Sequence, residues 1–354
     1  MSGSRAFRLR IALSSAALLA ILVTSVGIGS SELGPSTIVR GVSAMCGLGP
    51  ALERNLQAIV ELRVWRALCT SGVGAALALS GAMIQGMFRN ALASPSLIGV
   101  TGGASLGAAL AILIVGGYAP RLVLESSGGL ETLLIPAFSF LGALAATSLV
   151  AAIAAANGRA SVTTLLLVGI AVNLCVAGIF AAVQYLTLED WEVSKAILAW
   201  TFGTLDDRSG LHCATVALAL AASCAAIPFL GRELDLMRNG EEDAQALGVD
   251  VAATKRRALF ASALAASAAV AVAGQIGFVG LLVPHMARLS GARSYREMLW
   301  TVVPFGALFL LGTDLLQRLA LGEGALQPGV MMSLLGGPFF LFLLARHRRE
   351  IATW

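Results

Sequence analysis

LRVWRALCTSGVGAALALSGAMIQGMFRNALASPSLIGVTGGASLGAAL, residues 62–110, contains two long apolar runs with a short polar segment between them. The runs cover 63–87 and 97–117, and each is close to the ~20 residues a helix needs to cross a bilayer. Glycine and other small residues recur through both, as they do where membrane helices approach closely.

The same pattern continues in both directions. Further apolar runs cover approximately 11–29, 133–156, 162–187, 210–230, 257–275, 276–290, 298–319 and 329–345. The run at 276–290 is too short to cross alone, and Gly277, Gly280 and Pro284 interrupt it, so it is expected to share a crossing with the end of the one before. Hydrophobic residues make up 57% of the 354 residues and charged residues 12%, about half the ~25% charged share of a soluble domain. The expectation is an all-α polytopic membrane protein of about ten transmembrane helices, forming a single domain over 1–354. Residues 1–62 hold a first span and an outer-surface segment in which 41–63 could form a short helix. A core follows over 63–346, with its longest inside loop at 231–256. LSGAMIQG and VAGQIGFVG place a glycine-rich segment in each half. Spans 2–5 and 7–10 are five apart, and an odd offset makes the two halves face opposite sides, an inverted repeat.

Orientation follows from the basic residues. Arg5, Arg8 and Arg10, the cluster from Arg232 to Arg257, the trio Arg288, Arg293 and Arg296, and Arg346, Arg348 and Arg349 all fall inside if the N-terminus is inside. That bias predicts cytoplasmic N- and C-termini. The first run is long for a signal peptide and no small-residue cleavage site follows it, so an uncleaved span is expected. A net charge of +4 with no groove-like basic run gives no argument for nucleic acid. The five cysteines include no CxxC pair and read as packing residues.

An energy source is absent from the chain. A Walker A loop needs a lysine after glycine to reach nucleotide phosphates, whereas Lys195 follows Ser194 and Lys255 follows Thr254. Any ATP hydrolysis, with its ATP and Mg²⁺, is expected on another subunit; the chain itself is expected to be no enzyme and to bind no cofactor or metal. An ion-coupled carrier would keep acids deep in its spans, and only Asp314 is a candidate. Arg318 stands at i+4 from it, which fits either a local ion pair or an outer docking role.

Three stretches are more distinctive than hydropathy: residues 62–110; LMRNGEEDAQALGVDVAATKRR at 236–257; and AGQIGFVGLLVPHMARLSGARSYREMLW at 273–300 followed by GTDLLQRLALGEGALQPGVMMSLLGGPFFLFLLAR at 312–346. Together, and in this order, they resemble the permease family that imports iron–siderophores, haem and cobalamin as part of ABC transporters. The resemblance implies a subunit of a bacterial cytoplasmic-membrane importer. Its partners would be a second permease copy, two cytoplasmic ATPases and an external substrate-binding protein.

It also assigns residues. NGEEDAQALGV would be the element that seats in the ATPase, through Gly240, Glu241, Glu242, Ala244, Leu247 and Gly248; carboxylates at its start suit a helix N-terminus. Arg63, Arg66 and Arg318 would dock an acidic face of the binding protein, the alternative being that they snorkel to lipid head groups. Ser161, Val162 and Thr163 would form an inner gate, and the pathway would run near spans 5 and 10. Phe202 and Gly203 lie near the outer mouth, where Trp200 and Phe202 equally fit interfacial anchoring. Pro284, His285 and Arg288 would break a helix and cap carbonyls at the inner surface. The sequence departs from the family pattern at Trp65 and Ala91, in SGARSYRE, and at Pro328. An iron complex, ferric siderophore or haem, is the expected cargo, with cobalamin as the alternative; an ion-coupled secondary transporter or a non-transporting assembly subunit is a weaker reading.

Overall fold

The computed structural model describes residues 2–29, 33–115, 133–155, 162–322 and 324–346. The chain runs through α1 (Ser2–Gly27), α2 (Pro35–Met45), α3 (Arg54–Phe88), a 3-10 turn (Pro95–Ile98), α4 (Val100–Val115), α5 (Leu134–Ala155), α6 (Val162–Leu186) and α7 (Trp191–Thr201). It continues through α8 (Gly210–Ala225), α9 (Ile227–Met237), α10 (Glu241–Ala246), α11 (Val251–Ala273), α12 (Val279–Leu289), α13 (Tyr295–Leu321) and α14 (Pro328–Arg346). Among the described residues there is no strand.

Six of these helices are long and apolar enough to cross a membrane: α1, α3, α5, α6, α11 and α13. A seventh candidate is the pair α8–α9, bent by 53°. Pro228 sits in the first turn of α9, and its missing N–H and its ring account for the kink. Three shorter apolar helices, α4, α12 and 328–342 of α14, complete the set. They coincide with the expected runs 97–117, 276–290 and 329–345; length and composition alone do not make them spans.

α3 is the central post. Nearly every side chain from Cys69 to Phe88 is buried, as a helix apolar all round should be inside a bundle. It packs on α8, α11, α12 and α13, while α4 pairs with α5 and α6 flanks that pair. Small residues set the approach: a methyl on Gly74 would collide with the Gly306 carbonyl of α13, and one on Gly81 with the Gly280 carbonyl of α12. Between α3 and α11 the Ser80 and Ser262 hydroxyls lie 2.7 Å apart, and Ser80 also donates to the Ser262 carbonyl at 2.8 Å. Such bonds between membrane helices each contribute about 0.6 kcal/mol.

Three expectations are corrected. Residues 231–256 are not a loop: α9 extends to Met237, α10 follows, and α11 starts at Val251. The outer segment folds as α2 plus the first turns of α3, which begins at Arg54 and not near 63. The chain breaks at 274–278, upstream of Pro284, and Pro284 lies inside the continuous α12.

Candidate functional site

One end of the bundle is built on α9. Leu230, Leu234 and Met237 bury one side of it, while its polar side is tied to both neighbours. Glu233 accepts from Thr254 at 2.9 Å and pairs with Arg257 at 3.4 Å. Asp235 accepts from the Tyr295 N–H at 2.6 Å, at the start of α13, and Arg238 donates to the Arg293 carbonyl at 3.1 Å.

On that base stands α10, a single turn and a half. Gly240 enters at φ +143° and Gly248 leaves at φ +86°, a backbone region that a β-carbon disfavours. At the exit Gly248 N–H bonds Gln245 O and Val249 N–H bonds Ala244 O, the pairing that closes a helix on a left-handed glycine. Ala244 is fully buried beneath it. Asp250 then caps α11 by accepting from the Ala253 N–H at 2.9 Å.

Of the two expected coupling acids, only Glu242 is exposed. Glu241 is bonded to Lys255 at 2.7 Å, so it anchors α10 to α11. Leu247, 67% exposed, is an apolar side chain beside an acid on the outermost turn. No local spacing marks Lys255 as the anchor, because it lies 14 positions away in a basic run.

Pro284, His285 and Arg288 lie on α12, but they do not form one contact group. Pro284 lacks the N–H that would reach the Gly280 carbonyl one turn back. Gln85 of α3, fully buried, donates to that carbonyl at 3.4 Å and to Leu281 O at 3.5 Å. Arg288 in turn donates to the Gln85 amide oxygen at 2.6 Å. The Gly280 and Leu281 carbonyls are thus met by Gln85, which Arg288 holds in place. Gln85 was missed in the sequence, where it is a lone amide in an apolar run. His285 is half-buried on the same helix, and no group of His, Cys, Asp or Glu that could hold a metal occurs among the described residues.

At the opposite end the three arginines do come together, but they point inward. Asp314 pairs with Arg66 at 2.8 Å and with Arg318 at 3.0 Å, and Arg66 also pairs with Asp206. The Arg318 and Asp314 side chains are each 2% exposed. Arg318 donates to the carbonyls of Ser25 and Ile28, at 3.2 and 2.9 Å, and Arg63 to that of Val26 at 3.5 Å. These arginines close the C-terminal end of α1, where cations suit the helix dipole. Where an outward patch was expected there is thus an internal network: Arg63 meets a carbonyl, Arg66 two carboxylates, and Arg318 both. Asp206 and Ser25 were not anticipated.

Val162 and Thr163 open α6, half-buried and exposed respectively; Ser161 lies outside the described residues. α6 buries only Leu165, Gly169 and Val172 and exposes Leu167, Ile170 and Leu174. Phe202 and Gly203 pack on the break in the other half: Gly203 has φ +78°, Thr204 N–H bonds Ala273 O at 2.8 Å, and Gly329 N–H bonds Phe202 O at 2.9 Å.

Comparison with known proteins gives one consistent result. Residues 17–346 match the model of the FecCD transport family. The chain is 37% identical over 295 residues to the cobalamin import system permease protein BtuC of Halobacterium salinarum, covering 83% of this chain and 75% of the relative. It is 36% identical over 293 residues to the hemin transport system permease protein HmuU of Yersinia pestis, covering 82% and 84%. A solved structure described as an inward-facing conformation of a metal-chelate type ABC transporter superposes with a TM-score of 0.78 at 25% identity, over 96% of this chain and 99% of that one.

Proposed function

This chain belongs to the FecCD transport family, and from that premise we propose that it carries an iron complex, ferric siderophore or haem, inward across the bacterial cytoplasmic membrane. It is the permease of an ABC importer for metal chelates; the cargo, the partners and the orientation are our reading. Two copies would pair along the faces of α6 and α14 on which Leu167, Leu174, Leu334 and Leu341 are exposed. The chelate would pass between them along an apolar wall, with residues 161–163 as the inner gate. Both termini would lie inside, and the short helices α4, α12 and α14 would count as spans, making ten.

One observation carries the reading: α10 presents Glu242 and Leu247 outward while Ala244, Glu241–Lys255 and Gly248 fix it rigidly from beneath. A protruding, immobilised turn is suited to passing a rigid-body movement from a separate ATPase to the bundle. Cobalamin is the second reading, favoured by the similarity to a cobalamin permease. Uptake into proteoliposomes containing the chain, its ATPase and its binding protein decides between them. With equal ferric siderophore, haem and cobalamin outside, an iron complex should accumulate first. Preferential cobalamin uptake would replace the iron reading.

A further inference from the structure

α1 is held along one edge. Arg10 pairs with Glu297 at 3.0 Å and donates to the Ser290 carbonyl at 3.3 Å, Ser14 and Ser25 are buried, and Arg318 closes the far end. Helical spacing turns a neighbouring face, through Phe7, Arg8, Ile11, Ala12, Ser15 and Leu18, over a groove of about 720 Å³. The opposite wall is Gly72 and Ala75 of α3 with Trp300, Pro304 and Ala307 of α13. The small side chains there do not reach across to α1, so the gap stays open.

The dimensions and the chemistry of this groove identify its occupant. From Phe7 to Leu18 the helix rises about 16 Å at 1.5 Å per residue, close to the ~15 Å depth of one leaflet. The volume falls within the roughly 300–1,000 Å³ of ligand sites. A groove in the flank of a membrane bundle is solvated by acyl chains and not by water. Its N-terminal end carries Arg8, one turn after Arg5, and Trp300 faces the same space; basic and indole side chains are those that meet a head group.

We propose that this groove binds one anionic phospholipid, its acyl chain lying along Ile11–Leu18 between α1 and α13 and its phosphate meeting Arg8. The lipid fills the space left between this face of α1 and the walls on α3 and α13. Assignment to the inner leaflet rests on the orientation proposed above; the head-group selectivity does not, so the two can fail separately.

The full chain in mild detergent is titrated with phosphatidylglycerol or phosphatidylcholine of the same acyl chains, and bound lipid is counted by native mass spectrometry. One phosphatidylglycerol should bind in preference. Arg8→Gln should weaken it about fivefold, the equivalent of the ~1 kcal/mol a basic residue gains near an anionic head group, and leave phosphatidylcholine unchanged. Ala12→Trp and Ser15→Trp, both at exposed positions of α1 where a ring would enter the groove, should displace both lipids. Binding unchanged by all three substitutions overturns the proposal. So does loss with Arg8→Gln alone, which puts the lipid on the surface, or a protein found in place of the lipid.

Discussion

Arg288 of α12 donates to the amide oxygen of Gln85 on α3 at 2.6 Å, and the amide nitrogen of Gln85 faces the Gly280 carbonyl that Pro284 leaves without a partner. The crossing of these two helices is thus locked beside the glycine pair Gly81 and Gly280. Gln85→Leu should destabilise the purified chain by about 2–3 kcal/mol, the scale of a hydrogen bond to a charged group. Adding Pro284→Ala restores an N–H to the Gly280 carbonyl and should recover part of the loss. Thermal unfolding in detergent reads both; an unchanged midpoint for Gln85→Leu would contradict the lock.

The ion network around Asp314 gives a sharper contrast. Asp314→Ala leaves Arg66 and Arg318 buried without their shared carboxylate and should cost on the order of 3–5 kcal/mol. Asp206, half exposed, should cost under about 1 kcal/mol when changed to alanine. Equal losses, measured by denaturant titration, would show that Asp314 does not hold the end of α1.

On α10 the two glutamates should separate. Glu241→Ala removes the 2.7 Å ion pair to Lys255 that anchors α10 to α11 and should lower stability. Glu242→Lys should leave stability alone and reduce ATPase binding. Unfolding curves alongside pull-down of the ATPase distinguish the pair; identical behaviour would void the division of roles.

Orientation is testable with single cysteines in a background lacking Cys46, Cys69, Cys175, Cys213 and Cys224. Position 242 should react with an impermeant maleimide only from the inside, and position 190 only from the outside. Reaction of both from one side would break the proposed topology.

Much of the fold was legible because bilayer crossing imposes a length on apolar runs: the boundaries of α5, α6 and α13 lie within a few residues of the expected ones. Polar partners were harder. Gln85 and Arg288 are 203 positions apart and Arg66 and Asp314 are 248 apart, so no local spacing reveals either. Arg63, Arg66 and Arg318 fit an outward patch by their expected place at span ends, whereas in the fold α1 carbonyls hold Arg63 and Arg318 and the carboxylates of Asp206 and Asp314 hold Arg66. α7 passed unnoticed although Asp190 caps it by accepting from the Val193 N–H at 3.2 Å; at 11 residues it is too short to register beside the long apolar runs.

Movement of the pathway through this chain is expected to be driven by a separate ATPase through α10. The most direct test is chelate uptake by proteoliposomes holding the chain with its ATPase and binding protein, comparing the native sequence with Leu247→Asp. Leu247 is exposed, so the change should leave the fold intact. Uptake should require ATP and the ATPase in the native case. In the variant it should fall at least about tenfold, a loss of ~1.4 kcal/mol in coupling, with melting unchanged. ATP-dependent uptake that is undiminished in Leu247→Asp, or uptake by the chain alone, would contradict the claim.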